Sequence, residues 1–557
     1  MFFILIPCVA ATIVATSLIF NVLVGWLRAL EKAPSTTAQT VPYTIPFIKS
    51  TFSFVFNGPD FYRRASNFCQ GQWPVRVDLL NDEVYLVQGQ KNILSVFSNP
   101  GLTVTRAYGI VLKYCFGMDQ QAVDVYVSDT SGSRHRPISS STTPHNSRVS
   151  YHTHENLTQG LLGSGLDSTT QRFEAALYAA LDKAVPSISD WKFEPDLTQF
   201  FEEHLGTALL QALCGPLLVE ESPNLVRKLW QYDKLIMALA KRLPSWLIPG
   251  SYQLRDELLA MIMRWHKLAT ELSTAHPERK PSDQSQADPY WGSAMMRERN
   301  KMLLTIDGQD RRSVASTDLG FIWASITNVV PSTMTLSTHI FHDSTLAREL
   351  RSRLQECIRP DTDGVQCNME KLAKEPLLLS MYAETLRFGV QIHVPRCSPH
   401  QPLNLADKII PANKLLLINT ALAHTDEEVW NTRDGQYPLN TFWAQRFLVD
   451  PADPRSGPLK PSRFAKQLRT AHPDSSREEF SVQGLEGIWI PYGGGQHACP
   501  GRLLAKRVML LTSAMLVTMF DVELLAPESA LQFQSSRFGF GVRKPVAQVP
   551  FRIRRRC

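Results

Sequence analysis

The chain has 557 residues, of which 44% are hydrophobic and 20% charged, a composition ordinary for a folded globular protein. The net charge of +6 is small for this length, and no basic stripe interleaved with aromatic residues is visible, so the sequence indicates no nucleic-acid partner. The nine cysteines are odd in number and lack a repeated spacing. They argue against a disulfide framework or a zinc site and favour a reducing compartment.

The first strong signal is the apolar N-terminal stretch, because residues 2–27 carry no charge. A helix over this stretch would be about 39 Å long at roughly 1.5 Å per residue, more than a hydrocarbon core of about 30 Å. The stretch therefore predicts one transmembrane anchor with some tilt. A cleaved signal peptide is the alternative, disfavoured by the length and by the lack of a preceding basic segment. Arg28 and Lys32 follow directly and place the remaining chain in the cytosol.

Residues 28–46 form a proline-rich linker, a composition that stiffens the exit from the membrane. Residues 75–89 alternate as a pair of strands should, and short strands are also expected within 408–419 and 549–554. Most other segments have helical periodicity. The main predicted helices are 169–185, 195–213, 223–239, 254–272, 317–341, 376–388 and 502–520. We predict one large domain over residues 47–557, mainly α with a minor β part.

The most informative stretch is PYGGGQHACPGRLLAKRVMLLTSAMLVTMF, residues 491–520. Its three glycines at 493–495 can let the backbone approach a flat ligand. Cys499 comes just before a predicted helix, whose positive end and free N–H groups favour a thiolate. A glycine-rich turn with an incidental cysteine is the alternative. The combined spacing of Tyr492, Gly495 and Cys499 is rare by chance.

This stretch resembles the haem-binding signature FxxGxxxCxG of the cytochrome P450 family, with Tyr492 in place of the usual phenylalanine. The resemblance implies that the thiolate of Cys499 holds the iron of haem b (iron protoporphyrin IX), with Gly495 in the loop beside the cofactor. It also implies that His497, at the family's basic position, contacts a haem propionate; a plain surface histidine is the alternative. The tyrosine keeps an aromatic ring but adds a hydroxyl that needs a partner.

The sequence YAETLRFG places Glu384 and Arg387 three residues apart on one helix face. That spacing alone also fits a solvent-exposed ion pair. The segment resembles the ExxR motif of the same family, and FWAQRF resembles the later segment that completes it, which assigns Arg446 as the third member. The resemblance implies a buried structural network. Arg396 resembles the family's propionate-binding arginine on the following strand.

The family usually has a tryptophan- and arginine-bearing helix beside the propionates, and this helix is not evident in the sequence. Arg148, His152 and His154 lie where it is expected, but their spacing matches no firm motif. The contacts on that side of the cofactor therefore stay unassigned.

A long helix is expected to begin at Asp318, with Thr317 or Ser316 as its N-cap. It contains ASITNVVPST, where the family usually has A/G-G-x-D/E-T, whose acid and alcohol deliver protons during oxygen activation. Thr327 and Asn328 stand in those two places, so both usual residues are absent. They are the candidate catalytic residues, although an asparagine has no titratable proton.

Pro331 has no N–H for the carbonyl of Thr327, and its ring crowds that carbonyl, so the helix should bend or open near residues 324–328. The freed carbonyl and the Asn328 amide can hold a water molecule. A kink that serves packing alone is the alternative. The pattern resembles a branch of the family with sterol hydroxylases of bile-acid synthesis and prostacyclin synthase, which contains both oxygen-inserting enzymes and a peroxide isomerase.

The resemblance implies a monooxygenase that inserts one oxygen atom from O2 into a bulky hydrophobic small molecule, such as a steroid, a terpenoid or a related fungal-type secondary metabolite. No flavin or nucleotide fingerprint is visible, so electrons are expected from NADPH through NADPH–cytochrome P450 reductase. The domain would face the cytosol from the endoplasmic reticulum membrane. The alternatives are a haem-thiolate isomerase or dehydratase that acts on a peroxide without a reductase, and a haem-bound scaffold or lipid-binding protein without turnover.

Overall fold

The structure is a computed structural model that describes most of the chain. The described residues are Thr16, Ile19, Leu23, 36–43, 45, 47–186, 190–279, 287–361, 364–466 and 478–556. Apart from a few positions, the predicted anchor at 2–27 and the first part of the predicted linker at 28–46 lie outside these residues. Within the described part of the chain, no helix is both long and apolar enough to cross a membrane.

Helices make up most of the described chain, as the mainly α prediction requires. They are α1 (Thr51–Phe56), α2 (Gly58–Cys69), α3 (Gln90–Ser98), α4 (Thr105–Tyr114), α5 (Gln120–Ser128), α6 (Val149–Leu161), α7 (Ser164–Ala184), α8 (Leu197–Phe200), α9 (Gly206–Cys214), α10 (Pro216–Glu221), α11 (Leu225–Ala240), α12 (Pro249–Ala275), α13 (Ala294–Leu304), α14 (Arg311–Thr327), α15 (Val329–His342), α16 (Ser344–Leu354), α17 (Met369–Leu372), α18 (Pro376–Gly389), α19 (Thr420–His424) and α20 (Arg502–Met519). A π-helical turn, Phe201–Leu205, joins α8 to α9 and interrupts the helix predicted at 195–213.

The strands are short and form the minor β part. They are β1 (Val75–Asp78), β2 (Glu83–Val87), β3 (Lys192–Glu194), β4 (Ala287–Asp288), β5 (Gly292–Ser293), β6 (Ile358–Asp361), β7 (Gly364–Cys367), β8 (Val390–Cys397), β9 (Leu403–Leu405), β10 (Lys408–Ile410), β11 (Leu415–Asn419), β12 (Leu448–Val449), β13 (Glu479–Phe480), β14 (Phe520–Leu524), β15 (Phe533–Gln534), β16 (Phe540–Val542), β17 (Lys544–Pro545) and β18 (Phe551–Arg555).

The largest sheet combines strands from distant parts of the chain in the order β1–β2–β11–β8–β16. The predicted strand pair at 75–89 is confirmed, since β1 and β2 are antiparallel with Val75 opposite Leu86. β11 runs parallel to β2 and antiparallel to β8, and β16 pairs with the other edge of β8. This order places β8, which carries Arg396, between neighbours on both sides.

The long central helix is divided at Asn328, where α14 ends and α15 begins. Asn328 has φ −108° and ψ −44°, away from the usual helical φ of about −63°. Because Pro331 cannot donate to the carbonyl of Thr327, the helix opens there, and the predicted opening is confirmed. α15 packs against α18 and α20, so the break lies against the helices that carry the other motifs.

The predicted start of this helix at Asp318 is wrong, because α14 begins directly after Asp310. The Asp310 carboxylate accepts from the Ser313 N–H at 2.7 Å, and the Ser313 hydroxyl accepts from the Asp310 N–H at 2.7 Å, which forms a capping box. Asp318 lies buried inside the helix, with its carboxylate 2.7 Å from Arg299 Nε. Ion pairing with another helix thus overrides the preference of aspartate for a helix end.

Candidate active site

Cys499 ends the glycine-rich loop and lies just before α20. Its N–H donates to the Tyr492 carbonyl at 3.0 Å, which closes the loop. The side chain is exposed, yet desolvation by the surrounding protein raises the pKa of the thiol above its ordinary value, and the Gly501 N–H and Arg502 oppose this rise. The thiol therefore faces a cleft rather than bulk water. The helix terminus favours a thiolate as expected, but more weakly than burial disfavours it.

The glycines of the loop pack against Phe97 on α3. Gly493 and Gly495 have φ of +68° and +66°, a region in which a Cβ is strained. A Cβ on Gly494 would collide with the Phe97 ring, and one on Gly495 with the Phe97 carbonyl oxygen. The expectation that these glycines admit a flat ligand is thus corrected: their close neighbour is α3, and they fix the loop that carries Cys499.

Tyr492 joins this loop to α18. Its hydroxyl oxygen lies 3.0 Å from that of Tyr382, so the hydroxyl has the partner that replacement of phenylalanine requires. Burial raises the pKa of both hydroxyls, and both stay protonated at neutral pH. The tyrosine pair therefore holds the cysteine loop to the helix of the ExxR-like motif.

Glu384 and Arg387 meet on α18, and Arg446 joins them from a later loop. Arg387 donates from Nε and Nη2 to the two Glu384 oxygens at 2.6 and 2.8 Å, and Arg446 Nε lies 3.0 Å from both oxygens. All three side chains are fully buried, which excludes a solvent-exposed pair. Desolvation acts to raise the pKa of Glu384, but the two guanidinium groups outweigh it and hold that pKa below its ordinary value.

Ala324 and Asn328 lie one turn apart on a face of the broken helix that protein leaves uncovered. Ala324 is exposed and Asn328 partly exposed, whereas Trp323 and Thr327 on the neighbouring face are buried. An exposed alanine in a helix through the core marks open space beside it. Thr327 Oγ1 and Asn328 Oδ1 are buried without a hydrogen-bond partner among the described residues. Such atoms require a water molecule or a ligand.

Tyr108 on α4 borders the same space, and no sequence motif marked it. α4 packs against both α14 and β8. The side chain is 52% exposed, yet burial raises the pKa of its hydroxyl, with Arg396 acting to lower that pKa and Cys499 to raise it. Tyr108 therefore lies within electrostatic reach of the cysteine loop and of β8. It links the loop side of the cleft to the helix side.

Arg396 is buried and has only carbonyl partners. Its Nη1 and Nη2 donate to the carbonyls of Pro395 and Gly494, each at 2.7 Å, and no carboxylate of the described chain pairs with it. Burial lowers its pKa to about 10. His497 Nε2 lies 3.0 Å from the Leu102 carbonyl, and burial together with Arg396 lowers the pKa of His497 to about 4. His497 is thus a neutral, partly buried ring rather than a plain surface histidine.

The three residues expected near the missing tryptophan–arginine helix, Arg148, His152 and His154, separate in the structure. Arg148 donates to Ser131 Oγ at 3.0 Å, and its guanidinium is committed to the loop before α6. His154 lines a cavity that Gly495 also borders. Of the three residues, His154 lies at the edge of the cysteine loop.

The cleft has the features that a haem requires. A thiol faces it from the loop, an exposed alanine and an orphaned amide oxygen face it from the broken helix, and a buried guanidinium without a carboxylate partner lies at its edge. A sulfur donor matches an iron ligand, and a cation without a protein anion matches a propionate. The residues present therefore fit an iron porphyrin with two carboxylate side chains.

Comparison with known proteins agrees with this fit. A family model described as Cytochrome P450 matches residues 144–551. The chain is 32% identical over 532 residues to cytochrome P450 monooxygenase fsoE of Humicola fuscoatra, covering 93% of this chain and 87% of the relative. It is 30% identical over 541 residues to cytochrome P450 monooxygenase efuG of Hormonema carpetanum, covering 95% and 92%. The chain therefore belongs to the cytochrome P450 family.

A solved structure supports the fold. Retinoic acid-bound cyanobacterial CYP120A1 superposes with a TM-score of 0.62 at 16% sequence identity, covering 94% of this chain and 100% of that chain. The predicted cytochrome P450 fold, the haem b cofactor with thiolate ligation, and the monooxygenase class are confirmed by these comparisons.

Replacing Arg396 with leucine should weaken haem binding by roughly 10- to 100-fold, because a hydrogen bond to a charged group contributes about 1.5–3 kcal/mol. Haem transfer to apomyoglobin measures the affinity without turnover. Arg348→Leu, which removes an exposed arginine of α16, is the matched control and should retain haem like the parent. Equal haem loss from both variants would remove Arg396 from the propionate site.

Proposed function

We propose that Cys499 is the thiolate ligand of the haem iron and that the cleft between Cys499 and Asn328 is the catalytic centre. The observation that carries this proposal is a thiol that is exposed inside the protein, in a cleft whose other wall is the opened helix. Bound haem supplies the redox chemistry that activates O2. The protein supplies orientation, exclusion of bulk water and the placement of polar atoms.

We propose that Arg396 and His497 hold the propionates. The Arg396 guanidinium brings positive charge, and the neutral His497 ring contributes a hydrogen bond rather than charge. The tyrosine pair of the loop and the Glu384 network hold the loop and α18 in register, so the sulfur keeps a fixed position. Gly495 contributes through the packing of the loop against α3.

Asn328 and Thr327 are the proposed polar groups of the distal wall. Asn328 Oδ1 can accept from a water molecule and its amide N–H can donate to one, whereas Thr327 Oγ1 can do both. Neither side chain releases a proton at neutral pH. We infer that protons reach the site through ordered water, which these two residues orient, rather than from a side-chain acid.

The proposed substrate is a bulky hydrophobic molecule such as a steroid, a terpenoid or a related secondary metabolite, into which one oxygen atom from O2 is inserted. An aromatic cluster beside the opened helix supports this, since Trp323 lies 5.8 Å from Phe116 and 5.6 Å from Phe540 between ring centroids. Electrons are proposed to come from NADPH through NADPH–cytochrome P450 reductase. Residues 2–27 are proposed to anchor the protein in the endoplasmic reticulum membrane with the catalytic domain in the cytosol.

The loss of the usual helix acid also favours a second candidate, a haem-thiolate isomerase or dehydratase that acts on a peroxide and needs no proton delivery for O2. Turnover separates the two functions. Steroids and terpenoids would be incubated with NADPH and reductase, and lipid hydroperoxides with the enzyme alone. Oxygenated product that depends on both NADPH and reductase supports the monooxygenase. Isomerisation of a hydroperoxide without either would overturn it.

Replacing Asn328 with alanine should lower the yield of product per NADPH by about 5- to 10-fold, the effect of one lost hydrogen bond worth roughly 1 kcal/mol. Haem content should not change, because Asn328 is placed on the wall opposite the ligand. Ser325→Ala is the matched control, since the Ser325 hydroxyl is committed to the Phe321 carbonyl at 2.8 Å. Unchanged coupling in Asn328→Ala would remove this residue from the mechanism.

A further inference from the structure

A polar side chain from the C-terminal part of the chain reaches the helix break. Arg537 lies between β15 and β16 and is 8% exposed. Its Nη1 donates to the Thr327 carbonyl at 3.5 Å and to Asp233 Oδ2 on α11 at 2.9 Å. A Cβ on Gly541 would lie 2.8 Å from the guanidinium carbon, so a glycine there makes room for this arginine. One side chain therefore joins the terminal hairpin, α11 and the break.

The Thr327 carbonyl is the group whose helical donor is missing. In a regular α-helix this carbonyl accepts from the N–H four residues later, and that position is Pro331, which has none. A carbonyl buried without a donor destabilises the fold. Arg537 brings an N–H to this carbonyl from outside the helix.

We propose that Arg537 is a positioning residue whose guanidinium replaces the N–H that Pro331 lacks, and thereby holds the helix open with Asn328 beside the cleft. Asp233 holds Arg537 in place: it is buried and also accepts from the Trp323 indole N–H of α14 at 3.0 Å. The functional part of this inference rests on the proposed role of Asn328. The structural part, a donor exchanged between proline and arginine, stands without it.

Lys544 offers a matched control within the same cluster. Its Nζ lies 3.3 Å from Asp233 Oδ2 and 3.1 Å from Glu202 Oε1. Lys544→Gln removes one cation from Asp233 and leaves the donor to the Thr327 carbonyl in place. A role of Arg537 as a simple counter-ion of Asp233 would make the Arg537 and Lys544 variants behave alike.

The first experiment is a double-mutant cycle on the thermal unfolding midpoint of the holoenzyme. Arg537→Gln should lower the midpoint, and it should lower it by roughly half as much in a Pro331→Ala background, because an alanine at this position gives the carbonyl a backbone donor. Arg537→Lys, which keeps a cation opposite Asp233, repeats the cycle if the glutamine variant does not accumulate. Equal losses in both backgrounds would overturn the proposal.

The second experiment reads Asn328 directly through the infrared stretch of carbon monoxide bound to the ferrous enzyme. Arg537→Gln should shift or broaden the band in the direction seen for Asn328→Ala, and Lys544→Gln should leave it unchanged. A band unaffected by Arg537→Gln, or shifted equally by Lys544→Gln, would refute the positioning role. Neither experiment needs substrate or reductase, so failure of the monooxygenase proposal is distinguishable from failure of this one.

Discussion

Replacing Cys499 with serine is expected to abolish turnover and the ferrous carbon monoxide spectrum typical of thiolate ligation. A serine hydroxyl has nearly the size of the thiol but neither ionises as readily nor pushes electron density onto the iron. The Cys499 side chain is exposed to the cleft, so the unfolding free energy should change by less than about 1 kcal/mol. The measurements are the carbon monoxide difference spectrum, haem content and product formation.

Cys69→Ser is the matched control for this experiment. Its Sγ already donates to the Ser66 carbonyl at 3.5 Å, a bond that a hydroxyl can keep. The control should show the thiolate spectrum and full turnover. A thiolate spectrum retained by Cys499→Ser would assign the ligand to another residue, and the proposed catalytic centre would be wrong.

Replacing Glu384 with glutamine should lower the free energy of unfolding by roughly 3–5 kcal/mol, because Arg387 and Arg446 are left buried without a counter-ion. Urea titration followed by circular dichroism measures the change. Glu349→Gln is the control: Glu349 pairs with Arg353 at 2.7 Å, but both side chains are 42% exposed. That surface pair should contribute less than about 1 kcal/mol.

The pH dependence of stability gives an independent check on the same network. The pKa of Glu384 is lowered in the folded state, so its stabilising effect is present above the ordinary carboxyl pKa of about 4.3 and is lost as the pH falls through the lower folded value. Over this acid range the parent should lose stability more steeply than Glu384→Gln. Parallel pH profiles, or a loss of stability no larger than in Glu349→Gln, would show that the network contributes little.

The features predictable from the sequence depend on neighbours within a few residues. The cysteine loop, the helix pair Glu384 and Arg387, and the break imposed by Pro331 each follow from local spacing or from the chemistry of one residue type. Arg446 was assigned by resemblance, and the structure places it on Glu384. The family assignment rested on these short patterns, and it survives at sequence identities near 30%.

The features that the sequence did not reveal depend on contacts between distant segments. Tyr108 lies on a helix of ordinary periodicity, and only the packing of α4 on β8 and α14 brings it to the cleft. Arg537 reaches Thr327 across 210 positions of the chain. The glycine loop was interpreted as room for a ligand because nothing local showed that Phe97 fills that space. The start of α14 was misplaced because the partner that holds Asp318, Arg299, is on another helix.

Iron K-edge X-ray absorption of the purified ferric enzyme tests the central claim most directly, because it counts the atoms bonded to the metal. The expected result is a single sulfur neighbour beside the porphyrin nitrogens, which disappears in Cys499→Ser and persists in Cys69→Ser. An iron surrounded by nitrogen and oxygen alone in the parent enzyme would contradict the account.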